Sequence, residues 1–146
     1  MSSNPIISCQ CRTVTVPASQ PEPSDVYICH CTECRKQSSS AFGISAIFPA
    51  EGILPFSESV QPYIGVWKRP TDAGNTLECY FCKKCGVRLL HRGVTPDGQP
   101  KSVVSVKGGC LDKLDLQGVK HIFTRSAVVP VPEGGDPTSP GLRGES

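Results

Sequence analysis

The sequence predicts an all-β domain, a small sandwich or open barrel of short strands cross-linked by bound metal. Three observations carry this. Glycine and proline number 14 each in 146 residues, a composition that favours short strands and turns over long helices. Segments rich in Val, Ile, Thr, Tyr and Phe recur between Pro or Gly punctuation. Seven of the nine cysteines fall into three ordered clusters, Cys9-x-Cys11, Cys29-x-Cys31-x-x-Cys34 and Cys82-x-x-Cys85-Gly86.

In chain order, residues 12–16 and 25–30 form the first two predicted strands. Residues 32–38 are the one segment suited to a helical turn, and they begin inside the second cysteine cluster. Strands follow at 42–48, 62–67, 76–81 and 87–91. Residues 94–100, VTPDGQP, read as a hairpin turn with Asp97-Gly98 at its tip, because an Asp-Gly pair tolerates the positive φ such turns need. Residues 101–106 and 121–125 complete the strand set. From Pro130 onward, PVPEGGDPTSPGLRGES has no periodicity and little to bury. One domain over 1–129 and a disordered Pro/Gly-rich tail over 130–146 are therefore expected.

At 146 residues the chain suits a single core, small enough to gain from metal cross-links. Residues 1–5 carry neither a charged start nor an apolar run, so no secretory signal is expected. No stretch nears the ~18 apolar residues needed to span a membrane. The expectation is a soluble, cytoplasmic protein whose thiols stay reduced. An odd cysteine count also argues against a complete disulfide framework. The formal charge of +2 misleads: seven thiolates subtract seven, two zinc ions restore four, and the loaded protein stands at −1. The basic pairs Arg35-Lys36, Lys68-Arg69 and Lys83-Lys84 are scattered. They read as solvated surface, and a nucleic-acid partner is not expected.

The clusters divide unevenly between two tetrahedral metals. Cys82-x-x-Cys85-Gly86 has the form of a zinc knuckle, with glycine permitting the tight turn behind the sulfurs. It needs two more ligands, and Cys9-x-Cys11 offers a pair. If they join, the metal closes a loop of about 70 residues, which removes much unfolded-state entropy. Cys29, Cys31 and Cys34 occupy three corners of another tetrahedron. The fourth corner falls to water, substrate or a residue from elsewhere, with Cys79, Cys110, His30, His91 and His121 as candidates. His30, between two ligands, should point away from a metal they share. His91 and His121 read as strand-packing or surface residues, Cys79 as a small buried hydrophobe, Cys110 as a loop or core thiol.

On these residues the chain resembles the glutathione-dependent formaldehyde-activating enzyme family, which includes the centromere protein V group. The resemblance covers roughly residues 6–127 and rests on SCQC (8–11), CHCTECRKQSSSAF (29–42), GNTLECYFCKKCG (74–86), GGCLD (108–112) and KHIF (120–123). It implies a zinc-containing β fold like that of methionine sulfoxide reductase B domains. It further implies a structural zinc on Cys9, Cys11, Cys82 and Cys85, and a catalytic zinc on Cys29, Cys31 and Cys34. The implied chemistry is that of a carbon–sulfur lyase interconverting formaldehyde plus glutathione with S-hydroxymethylglutathione. Some members act in secondary metabolism. The chain departs from the family where glycines are usual around the first pair (here Ile7 and Arg12) and after the middle cluster (here Ser39). It also carries Cys79 where arginine is common.

The expected function is a lyase with two zinc ions, acting on a small carbonyl or a thiol adduct, with glutathione a possible co-substrate. Three thiolates leave the middle metal site at −1, better suited to exchanging a sulfur ligand than to generating hydroxide. His30 is the candidate general acid or base, by position and by its ordinary pKa range. The rival reading is a non-catalytic zinc-binding module with a chromatin or protein partner, which predicts a fourth protein ligand on the middle site.

Overall fold

The computed structural model describes residues 3–138. Among these residues nine strands form two sheets, accompanied by one α-helix and three short 3-10 turns. Strands β1 (Ile6–Ser8) and β2 (Thr15–Pro17) pair as an antiparallel ribbon. The other seven make one open sheet: β3 (Asp25–Cys29), β4 (Gly43–Pro49), β5 (Ile64–Pro70), β6 (Thr76–Cys82), β7 (Arg88–Val94), β8 (Val103–Lys107) and β9 (Lys120–Ile122). Their order is β5-β6-β7-β8-β4-β3-β9, antiparallel except for the parallel β3–β9 pair. The expected all-β class holds, and the sheet ends at β5 and β9 without closing.

Each predicted strand lies on an observed one, with shifted ends. The first, the fourth (predicted 62–67, observed Ile64–Pro70) and the last moved most. Residues 12–14 form the turn into β2, where Arg12 has φ 66. β9 ends at Ile122 because Phe123 adopts φ 53, a left-handed conformation that cannot continue a strand. β1 was not predicted, since three residues give no readable alternation. The predicted turn spans the β7–β8 connection: Val94 bridges Pro100, the Gly98 N–H donates to the Thr95 carbonyl at 2.9 Å, and Gly98 has φ 86.

The helix α1 occupies Thr32–Ser38, as predicted. Its N-cap is Cys31, whose sulfur accepts from the Cys34 N–H, and its C-cap is Ser39 in the left-handed region. Seven residues make too few hydrogen bonds to hold a helix alone. Tertiary ties do that work: the Ser38 hydroxyl donates to the carbonyls of Cys34 and Phe42, and Arg35 donates to the Ser126 carbonyl.

The main core gathers Ile7, Val14, Phe48, Leu89, Leu90, Val104 and Val106, with Cys9 and Cys82 embedded in it. A second, smaller core contains Tyr27, Ile47 and Ile122 together with Cys29 and Cys34. Each cysteine group is thus rooted in its own packed cluster. Residues 130–138 turn back on the domain. The Asp136 N–H donates to the His121 carbonyl at 2.9 Å, and the Thr124 and Phe123 N–H groups donate to the carbonyls of Asp136 and Thr138. This part of the expected tail is hydrogen-bonded; its remainder, 139–146, lies outside the described residues. No helix among the described residues is long and apolar enough to cross a membrane.

Candidate functional site

The fold brings the seven cysteines together in two groups. The sulfurs of Cys9, Cys11, Cys82 and Cys85 all lie within 4.8 Å of one another, as do those of Cys29, Cys31 and Cys34. In the first group Cys9 Sγ is 3.7 Å from Cys11 Sγ, and Cys11 Sγ is 3.8 Å from Cys82 Sγ. A zinc–sulfur bond of ~2.3 Å in a tetrahedron puts sulfurs about 3.8 Å apart, so these edges fit a zinc ion. Backbone groups point at the sulfurs as well. Val14 N–H donates to Cys9 Sγ and Lys84 N–H to Cys82 Sγ, each at 3.3 Å, which stabilises thiolates. Gly86 has φ 81 and open space beside it, so the turn behind the knuckle uses the conformation expected of that glycine.

The thiols titrate apart. Burial pushes Cys9 up to about 11, whereas hydrogen bonds from Thr13, side chain then backbone, bring Cys11 down to about 6. Cys29 rises to about 12, chiefly because it holds its proton in a hydrogen bond to Cys31. Such crowded sulfurs cannot all ionise by themselves. A bound dication would let them, and this donor chemistry suits a soft-to-borderline metal such as zinc.

The three-cysteine group sits where β3 enters α1. Cys29 ends a strand held between β4 and β9, Cys31 caps the helix, and Cys34 lies one turn in. The Cys34 N–H donates to Cys31 Sγ at 3.3 Å. Gly43 allows β4 to approach closely, since a Cβ there would stand 3.1 Å from Cys34 Cβ. Among the described residues, no fourth histidine, cysteine or carboxylate joins this group. Cys79 is buried with its sulfur toward the Leu77 carbonyl, and Cys110 directs its sulfur to the Arg88 carbonyl. Neither belongs to a cysteine group. Burial raises the Cys110 thiol to about 11.

His30 is fully buried. Its Nε2 is 2.9 Å from His121 Nδ1, the rings are stacked, and Phe42 lies 5.6 Å from its centroid. Burial, then the nearby His121, lowers its pKa. His121 is thus a partner of His30, a role invisible in sequence across 91 residues. His91, on β7, is buried, bonded to Arg88, and lines a pocket beside Cys34 without joining the cysteine group.

Two concavities adjoin these groups. A groove of ≈ 1010 Å³ runs past Cys9, Phe42, Gly43, Lys107 and Cys110. Lys107 is buried there, with Nζ 3.2 Å from Ser45 Oγ. A smaller pocket of ≈ 200 Å³ opens beside Cys34, walled by Trp67, Arg69 and Arg88. Sequence reasoning missed Arg88, Lys107 and Phe42; a lysine in the apolar run VVSVK was the one available signal. The glutathione-dependent formaldehyde-activating enzyme family model matches residues 4–126. No curated protein matches the chain.

Proposed function

Because the chain belongs to the glutathione-dependent formaldehyde-activating enzyme family, we propose that it is a zinc-dependent carbon–sulfur lyase acting on a thiol adduct or a small carbonyl compound. One observation carries this reading: Cys29, Cys31 and Cys34 form a compact donor set of three rather than four, next to a pocket. A zinc ion held there supplies a Lewis acid for a carbonyl oxygen or a thiolate.

The chain's own residues do the rest. As helix N-cap, Cys31 accepts the Cys34 N–H at its sulfur, which orients that member of the donor set. Gly43 lets β4 pack against Cys34, and Phe42 packs against the His30 ring. His30 and His121, with nitrogens 2.9 Å apart, are the pair assigned to proton transfer. A buried, weakly basic His30 stays neutral near neutral pH and is able to accept a proton. For the family's namesake reaction, a C–S bond forms between the thiol sulfur and the carbonyl carbon. The C=O double bond becomes a C–OH, and the S–H proton ends on that oxygen.

The test is exchange NMR of glutathione with labelled formaldehyde, with metal content measured alongside. Catalysed exchange is expected, abolished by Cys31→Ser and lowered by about 10²-fold or more in His30→Gln at unchanged metal content. Two bound zinc ions with no acceleration for any thiol adduct or carbonyl would favour the binding-module reading. A wild-type rate in His30→Gln would reduce His30 to a packing residue.

A further inference from the structure

The pocket beside Cys34 has a charge balance that its own residues leave incomplete. Lys36, Arg69 and Arg88 face it, against the single carboxylate of Glu33. A metal-loaded three-thiolate group adds one negative charge, which still leaves the site at +1. The two arginines are held differently. Arg88 donates to His91 Nε2 at 3.0 Å and lies over the Trp67 ring at 5.6 Å, which fixes its guanidinium plane. A guanidinium so fixed is set for a planar anion. Arg69, with its side chain only 16% exposed, has Nε 3.9 Å from the Glu33 carboxylate, at the limit of an ion pair. Glu33 itself is 57% exposed, so it is a loosely held acid that an incoming one can displace. The chain's own carboxylate thus already lies within ion-pair reach of Arg69.

The remaining wall agrees. The Gln37 Oε1 is buried without a hydrogen-bond partner among the described residues. Gln37 lines this pocket as well, so its amide adds a polar group to the same wall. At ≈ 200 Å³ the pocket holds a fragment of a few heavy atoms, with Cys34 at one side.

Resting on the thiol-binding reading above, we propose that this pocket is a carboxylate subsite formed by Arg69 and Arg88. The substrate is then a thiol or thiol adduct carrying a carboxylate a few bonds from sulfur, the sulfur lying toward the three-cysteine group.

Trp67 is the chain's one tryptophan and walls the pocket, so intrinsic fluorescence reports its occupancy. The zinc-loaded protein is titrated with 3-mercaptopropionate, with 3-mercaptopropan-1-ol and with propionate, read by fluorescence and by calorimetry. The acid should bind at least about tenfold more tightly than the alcohol, because a charge-assisted hydrogen bond to arginine is lost in the latter. Arg88→Gln and Arg69→Gln should each shrink that ratio while two metals are retained; a variant that fails to fold is replaced by the other. Equal affinity for acid and alcohol, or a ratio unchanged in both variants, overturns the subsite. Propionate binding as tightly as 3-mercaptopropionate, with the alcohol silent, supports the subsite and sinks the thiol-binding reading instead. No binding of any of the three by calorimetry overturns the subsite.

Discussion

Arg12 and Ser39 both stand in left-handed backbone, at φ 66 and φ 53, and both stand where the resembled family favours glycine. Each adds a Cβ that this conformation resists, at a cost of about 1–2 kcal/mol. Glycine also raises unfolded-chain entropy, so the net gain is smaller. Arg12→Gly and Ser39→Gly should each stabilise by about 0.5–1 kcal/mol, read as a melting-temperature rise of about 2–3 °C. Ile7 is different: it is buried in β1 opposite Val16, and glycine there should destabilise. Sequence alone could note these positions as departures but could not tell which needed φ > 0. Cysteine chemistry gives a second prediction. Cys11 sits at about 6, below its ordinary 9.0, so its thiolate is present above that value and lost as pH falls through it. At pH 7.5 zinc binding to the four-thiol group should release at most about three protons, because Cys11 has already given up its own. Calorimetry in buffers of differing ionisation enthalpy measures that count.

At the scale of elements, the two cysteine groups differ in what they hold together. Cys9 and Cys11 join the ribbon to the end of β6 across 71 residues, whereas Cys29, Cys31 and Cys34 lie within one strand-to-helix junction. Loop-closure entropy rises with the span closed. Cys82→Ser should lower the melting temperature far more than Cys31→Ser, because it also leaves a buried polar group in the main core. Comparable losses in the two melts would assign the structural role wrongly. Much of this layer was legible in the residues. Cysteine spacing named all seven group members, the helix matched its predicted span, and Asp97-Gly98 marked its turn. Pairing was not legible. That β9 runs parallel to β3, and so sets His121 against His30, follows from a sheet order that local periodicity does not encode.

For the whole molecule, the mixed sheet ends on a three-residue strand secured from outside by residues 130–138. The Asp136 N–H to His121 carbonyl bond ties that strap to the histidine pair. Asp136→Pro removes this donor and also the carboxylate that accepts the Thr138 N–H at 2.9 Å, and should lower the melting temperature by about 3–6 °C, consistent with about 1 kcal/mol for each of these two bonds. Metal content should stay at two per chain. Composition made this strap unreadable: Gly134, Gly135 and the prolines look like a free tail, and only backbone hydrogen bonds show otherwise.

The four-thiol group is assembled from two halves that leave the ribosome at different times. Cys82 follows Cys11 by 71 positions, so at about 5–20 residues per second the first pair waits roughly 4–14 s for its partners. The compact trio has no such delay, since its three sulfurs emerge almost together. Biosynthesis thus completes the trio's donor set before that of the four-thiol group. The four-thiol group is completed only after β6 is made, and until then Cys9 and Cys11 stand open to oxidation without their partner pair.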